Sequence, residues 1–160
     1  MNNVYENDEI KVFWDPSLCE HSGMCVRGDD NVFSPKRHPW ILLKDAKAIE
    51  VAKIIDTCPS KALSYELKIH IVFEPDEYRS IAMIGNCIIG ACEFEENGNV
   101  WNITHTIVRD AYKGRGIAKN LVESVIAEAI KNNKKVLPIC SYAKKMMEGN
   151  NEYKNVLFMQ

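Results

Sequence analysis

Val108-Arg109-Asp110-Ala111-Tyr112-Lys113-Gly114-Arg115-Gly116-Ile117-Ala118-Lys119 carries the chain out of a strand, around a glycine-bearing turn and into a helix. Its reading decides the architecture of the C-terminal half. Upstream, Ile88 to Glu95 and Val100 to Val108 are strand-like runs joined by Glu96-Asn97-Gly98-Asn99. Asn-Gly between apolar runs is the strongest short hairpin signal, so an antiparallel pair is expected. Downstream, Ile117, Leu121, Val125 and Ala129, with Val122 and Ile126, recur at helical spacing and form the apolar face of a long helix ending near Asn132-Asn133. Lys135 to Cys140 then reads as a short strand and Tyr142 to Met147 as a second, weaker helix. The first amides of a helix lack intrahelical partners and face the positive end of its dipole, which makes the turn a ready anion site where a diphosphate fits. Four cations against one acid between Arg109 and Lys119 make this patch locally basic. Read alone, the same turn is equally an ordinary strand-to-helix connection with solvated lysines.

The whole chain gives that patch a near-neutral setting. Its 160 residues hold 20 Lys+Arg against 22 Asp+Glu, with 46% hydrophobic and 26% charged residues. That composition is globular, and the length permits one large or two very small domains. Up to Pro75 there are 9 Lys+Arg against 12 Asp+Glu, and from Asp76 onward 11 against 10, so neither half has the cationic excess of a nucleic-acid binder. MNNVYENDEI lacks a cationic-then-apolar leader pattern, and the longest weakly polar stretch, Ile81 to Cys92, is too short and interrupted to span a bilayer. A cytoplasmic protein without a membrane partner is expected. In that compartment the six cysteines read as metal ligands, nucleophiles or core residues before they read as disulfides.

The N-terminal half is organised around three of those cysteines. Ile10, Val12 and Trp14 alternate with polar residues as a strand that ends at Asp15-Pro16. Trp40 to Leu43 reads as a second strand, and Asp45 as the cap of a helix with Ala48, Ile49, Ala52 and Ile55 on one face, stopping before Pro59. Ala62 to Phe73 reads as extended chain, and Glu74-Pro75-Asp76-Glu77 as a linker, which divides the chain into domains at 1–72 and 73–160.

Between these elements stand Cys19-Glu20-His21-Ser22-Gly23-Met24-Cys25 and, later, Cys58-Pro59-Ser60-Lys61-Ala62-Leu63. Cluster-binding loops place cysteines at short gaps with a remote Cys-Pro, so that the loop wraps one side of a cube with its amides toward sulfide. Gly23 allows close backbone approach. Ser22 occupies the position where a middle cysteine would stand. From about Ile10 to Tyr65 the chain resembles the divergent single-cluster ferredoxin family. The resemblance implies an iron–sulfur cluster, 4Fe-4S or 3Fe-4S, with Cys19, Cys25 and Cys58 as ligands. Three thiolates satisfy a 3Fe-4S cluster, whereas a 4Fe-4S cluster takes a fourth ligand from His21, Ser22, water or elsewhere, with His21 slightly preferred. Zinc on Cys19, His21, Cys25 and Cys58 is the metal alternative, although structural zinc usually takes closer pairs. Reduced core cysteines are the plain reading.

The turn at Lys113 also has a family likeness. Lys113, Gly116 and Ala118 occupy the first, fourth and sixth places of the R/Q-x-x-G-x-G/A motif of GNAT acetyltransferases, with lysine departing from the motif's first residue. With Thr104-His105-Thr106 before it and Pro138-Ile139-Cys140 after the helix, the segment from roughly Val72 to Leu157 looks like the short branch of that superfamily. The resemblance implies acetyl-CoA or CoA held by Lys113, Gly114, Arg115, Gly116, Ile117, Ala118 and Lys119, with the pantetheine arm near Ile107 and Val108. The fold expected is therefore α+β to α/β: a small ferredoxin-like α+β domain, then a short GNAT-type mixed sheet with a long helix after the phosphate-binding turn.

His105 and Cys140 are the candidate catalytic groups, because neighbouring parallel strand ends converge on a ligand crevice. His105 is placed to take a proton from an incoming amine, and Cys140 to accept an acyl group if its thiol is activated. A lone histidine is as often structural, and a strand-end cysteine is more often packing. Tyr142 is a candidate acid near the leaving thiolate, although packing is its commoner use. Cys87, Cys92, Trp14, Trp40 and Trp101 read as packing residues. The activity expected is acetyl transfer from acetyl-CoA to a small-molecule or protein amine, with the cluster module structural, redox-sensing or substrate-presenting. The alternatives are an electron-transfer or redox-sensing protein whose GNAT-like half only binds CoA, and a metal-stabilised interaction module without catalysis.

Overall fold

The computed structural model describes residues 3–159 and divides into two compact units, one ending at Ile69 and the next beginning at His70. Strand Ile69–Glu74 belongs to the second sheet, and Pro75–Glu77 is a 3-10 turn inside the second unit, so these residues are not a linker. No helix is long and apolar enough among the described residues to cross a membrane.

In the first unit, β1 (Asn3–Glu6), β2 (Ile10–Trp14) and β3 (Leu63–Leu67) form an antiparallel sheet in the order β1-β2-β3. Alternation along β2 buries Ile10 and Val12 completely. Helix α2 (Ala48–Asp56) contributes Ala48, Val51, Ala52 and Ile55 to the same core. Its first N–H is taken by Glu9 Oε2 at 3.1 Å, so a carboxylate from the β1–β2 turn does the capping expected of Asp45. The short helix α1 (Met24–Gly28) approaches α2 so closely that a Cβ on Gly28 would lie 2.8 Å from Ile54 Cγ2. Trp40 to Leu43 forms no strand. It makes one isolated bridge, Phe33 to Ile41, and packs Trp40 edge-on against Trp14 with ring centres 4.8 Å apart.

The second unit is a five-stranded mixed sheet of β4 (Ile69–Glu74), β5 (Arg79–Ile84), β6 (Cys87–Asn97), β7 (Val100–Val108) and β8 (Lys135–Pro138), in that spatial order. The Asn97-Gly98 hairpin joins β6 to β7 in antiparallel fashion, and β7 pairs β8 in parallel. The intervening crossover is α3 (Ile117–Lys131), which buries Ile117, Leu121, Val122, Val125, Ile126 and Ala129. Its close seat on the sheet needs Gly90, where a Cβ would stand 2.9 Å from the Ile107 carbonyl and 3.2 Å from Leu121 Cδ1. Ser80, the buried polar residue of this core, donates to Ser124 Oγ on α3 at 2.8 Å. Phe73, Phe94 and Trp101 stack across the strands, Phe94 and Trp101 with centres 4.4 Å apart. Helix α4 (Ser141–Met147) follows β8, and the chain then returns to bridge Leu157 to Val136.

Candidate functional site

The second unit's site arises where its sheet comes apart. Pairing of β7 with β8 stops at Ile103 and Pro138, where the Ile103 carbonyl accepts the N–H of both Ile139 and Cys140, at 2.9 and 3.0 Å. β7 continues to Val108 along β6. Arg109 N–H bonds back to Ile89 on the β6 side at 2.8 Å. Backbone groups of successive residues in an antiparallel ladder face alternate sides, so those of Thr106 and Val108 face the side that β8 has left.

Thr106 and Val108 line a cavity of about 400 Å³, with Tyr142 of α4 on its wall. The turn supplies Tyr112, Lys113, Gly114 and Gly116, and α3 supplies Ile117 and Ala118. Gly114 and Gly116 have φ of 80° and 78°, in the left-handed region that favours glycine, and a Cβ on either would meet open space. Gly116 is the N-cap of α3 and provides no capping side chain. The first intrahelical bond there is Asn120 N–H to Gly116, so the amides of Ile117, Ala118 and Lys119 precede the helical ladder. The cations are less concentrated than their count implies: Lys113 pairs with Asp110 at 2.6 Å and Lys119 with Glu123 at 3.9 Å. Both pairs are solvent-exposed and worth little energetically, leaving the lysines available to an anion.

Arg115, Lys119, His105, Ile107 and Cys140 are not among the residues lining this cavity. Strand alternation turns His105 and Ile107 to the other face from Thr106 and Val108, and both are exposed, with the His105 side chain 67% accessible. That parity places the His105 imidazole on the face opposite the cavity lining. His105 Nδ1 instead stands 3.7 Å from Glu93 Oε2 on the neighbouring strand. Cys140 is the N-cap of α4, its Sγ accepting the Ala143 N–H at 3.3 Å and lying 3.4 Å from Thr106 Oγ1. The same hydroxyl is 3.6 Å from Cys92 Sγ. Burial pushes the Cys92 thiol up to about 12, so it stays protonated. Thr106 was not singled out by sequence; its position two residues before Val108 in a period-2 strand is the signal that finds it.

In the first unit, Cys19, Cys25 and Cys58 line one cavity of about 590 Å³, together with His21, Trp14 and Trp40. Burial pushes the Cys25 thiol up, and charge on Cys19 and Cys58 adds to that effect. Burial also acts upward on Cys58, but the amides of Leu63, Ala62 and Ser60 and the Ser60 hydroxyl outweigh it and hold the thiol below its usual value. Such amides favour a thiolate ligand. Among the described residues no three His, Cys, Asp or Glu side chains are grouped to hold a single metal ion. The cavity's donor set, three cysteine thiols with His21, is of the kind that an iron–sulfur cluster or zinc takes.

Residues 5–68 match the family profile described as divergent 4Fe-4S mono-cluster, and residues 81–156 match that of GCN5-related N-acetyl-transferase. The uncharacterized protein YjdI of Escherichia coli K12 is 45% identical over 64 residues, which are 40% of this chain and 84% of that protein. An NMR structure of a GCN5-like protein from Staphylococcus aureus is 29% identical and covers 57% of this chain and 89% of its own, with a TM-score of 0.47. The crystal structure of a GCN5-related N-acetyltransferase from Sphaerobacter thermophilus is 27% identical over 38% of this chain and 20% of its own, with a TM-score of 0.36. With its cysteine cavity in the first unit and its open strand edge and uncapped helix start in the second, the chain belongs to the divergent 4Fe-4S mono-cluster family through residues 5–68 and carries a GCN5-related N-acetyltransferase domain over residues 81–156.

Proposed function

We propose that the second unit binds acetyl-CoA and transfers its acetyl group to an amine, and that the first unit holds an iron–sulfur cluster on Cys19, Cys25 and Cys58. The observation that carries the transferase reading is one cavity that combines the open edge of β7 with the glycine turn and uncapped start of α3. The amides of residues 117–119 suit a diphosphate, and the free backbone groups of Thr106 and Val108 suit an extended arm bearing amides of its own.

The thioester is assigned here to the gap that opens where β7–β8 pairing ends at Ile103 and Pro138. An acceptor arriving from the face opposite the cavity meets His105, which stands beside Glu93. The amine nitrogen attacks the thioester carbonyl, the carbonyl–sulfur bond breaks, and CoA leaves as thiolate. His105 takes the proton lost by nitrogen, and Tyr142, on the cavity wall, protonates the thiolate. Cys140 offers a second route, in which its sulfur accepts the acetyl group as the CoA sulfur departs and then yields it to the amine. The cluster, when bound, supplies an electron-accepting or structural centre within the first unit.

The test is CoA binding by calorimetry alongside acetyl transfer with a panel of amines. His105→Ala and Cys140→Ala should bind CoA nearly as tightly as wild type and transfer acetyl more slowly, by about 10²-fold or more for a lost proton acceptor. Tight CoA binding by a wild-type protein that acetylates no amine would favour the binding-only alternative.

A further inference from the structure

We propose that Thr106 is the positioning residue of Cys140, its hydroxyl fixing the sulfur beside the cavity and donating to it once the thiol is ionised. This deepens the Cys140 route of the transferase reading, on which it rests. Thr106 lines the second unit's cavity and Cys140 does not. In the β6–β7 register Thr106 stands directly opposite Cys92, so both side chains leave the sheet on one face. The Ile103 carbonyl, earlier on β7, takes the Cys140 N–H at 3.0 Å and pins that backbone to the same strand. Thr106 Oγ1 thereby lies between two sulfurs, 3.4 Å from Cys140 Sγ and 3.6 Å from Cys92 Sγ.

A hydroxyl has one hydrogen and two lone pairs, so this one donates to a single thiol and accepts from the other. Cys92 is fully buried and keeps its proton, which leaves its S–H available as a donor. Cys140 is partly exposed, and its sulfur already accepts the Ala143 N–H at 3.3 Å. Of the two sulfurs it is the one able to carry negative charge. While Cys140 is neutral, its S–H donates to Thr106 and the hydroxyl donates to Cys92. Once the Cys140 proton passes to solvent both bonds reverse: Cys92 S–H donates to Thr106 Oγ1, and Thr106 O–H donates to the thiolate. A hydrogen bond to a charged acceptor is stronger than one between neutral groups, and the bonds of such a chain polarise one another. The reversal therefore favours the ionised Cys140 over the neutral one.

The test is alkylation of Cys140 by iodoacetamide in the full-length protein at neutral pH, read by mass spectrometry of the Cys140 peptide. The sulfur displaces iodide as the sulfur–carbon bond forms, and the thiol proton passes to water. Thr106→Val keeps the shape of the side chain and loses the hydroxyl, whereas Thr106→Ser keeps the hydroxyl and loses the methyl group. Losing a hydrogen bond to a charged group lowers the thiolate fraction by about 10–100-fold. The greater nucleophilicity of the remaining thiolate recovers half of that on a logarithmic scale, so alkylation in Thr106→Val should be about three- to tenfold slower. Thr106→Ser should react nearly as fast as wild type. A packing role predicts the reverse order, so a Ser variant slower than the Val variant, or a Val variant as fast as wild type, overturns the assignment. Thr106→Ala also lacks the hydroxyl, should be as slow as Thr106→Val, and decides the matter if the Val variant does not fold. Acetyl-CoA takes no part in this reaction. Protein that alkylates in the predicted order yet transfers no acetyl group loses the transferase reading and keeps the Thr106 contact with its thiolate.

Discussion

Replacing Gly116 by Asp should weaken CoA binding at least tenfold, and the structure separates the reason from mere damage. At Gly116 a Cβ would meet nothing within 4 Å, so the added side chain collides with no protein atom. The φ of 78° imposes a cost of about 1–2 kcal/mol on a residue with a Cβ, less for Asp and Asn, which tolerate this region. The melting temperature should therefore fall by about 10 °C at most. Affinity suffers from charge. A carboxylate on the order of 5 Å from a diphosphate of about two negative charges costs ~1.7 kcal/mol at the dielectric of water, and about four times that at an effective value near 20. The smaller figure alone is about twentyfold in Kd. Gly116→Asn has the same size and the same backbone strain without the charge, so the Asp/Asn difference isolates the electrostatic part. Calorimetric titration with CoA at low salt, repeated at high salt, measures it, and the gap should narrow as salt rises. Equal affinities for wild type, Asn and Asp variants would refute the placement of the diphosphate on this turn.

Gly90→Ala should cost about 1–3 kcal/mol by overpacking, because its Cβ would press on the Ile107 carbonyl at 2.9 Å, a backbone atom with little freedom to move; urea unfolding measures it. Cys92, pushed up to about 12 by burial, favours the folded state below the unfolded thiol value near 9, and that advantage is lost as pH climbs from about 9 to 12. Tyr153, also raised to about 12 by burial and by its hydrogen bond to Glu123, acts in the same direction from about 10 upward. Stability should thus decline across that alkaline range, and Cys92→Ala should decline less steeply in a series of melts. Cys58→Ala should remove iron and sulfide together and raise hydrogen exchange before residue 70, since a unit this small gains folding free energy from its metal. Unchanged exchange would count against that coupling.

Much of the second unit was legible because its signals are local. Asn97-Gly98 and two alternating runs give β6 and β7, and the spacing of Leu121, Val125 and Ala129 gives α3. The strand before them was not legible. Ile81 to Cys92 looks like one weakly polar run because β5 and β6 are separated only by the turn at Gly85, and buried strands lack polar alternation. Ala62 to Phe73 reads as one extended piece, yet β3 and β4 pair into different sheets, a choice made by partners distant in sequence. The same limit governs the sites. His105 is near the gap by sequence, but its face is fixed by pairing register: Glu93 opposes His105 while Phe94 opposes Ile103, which leaves Thr104 as an extra residue on β7. The Thr106 contacts with Cys92 and Cys140 come from three separate elements and have no local signal. The cysteine site was the reverse case, since Cys19, Cys25 and Cys58-Pro59 already stood out in the sequence and folding brings the three cysteines to one cavity, with Trp14 and Trp40 on its walls.

The most direct test of the central claim is to incubate the full-length protein, kept anaerobic, with acetyl-CoA and a mixed panel of small and peptide amines. Free CoA and acetylated amine are then followed together by mass spectrometry. The account predicts matched amounts of both products, with the rate lowered in Gly116→Asp at limiting acetyl-CoA and in His105→Ala at saturating acetyl-CoA. CoA release no faster than spontaneous hydrolysis, with no acetylated amine despite measurable CoA binding, would contradict it.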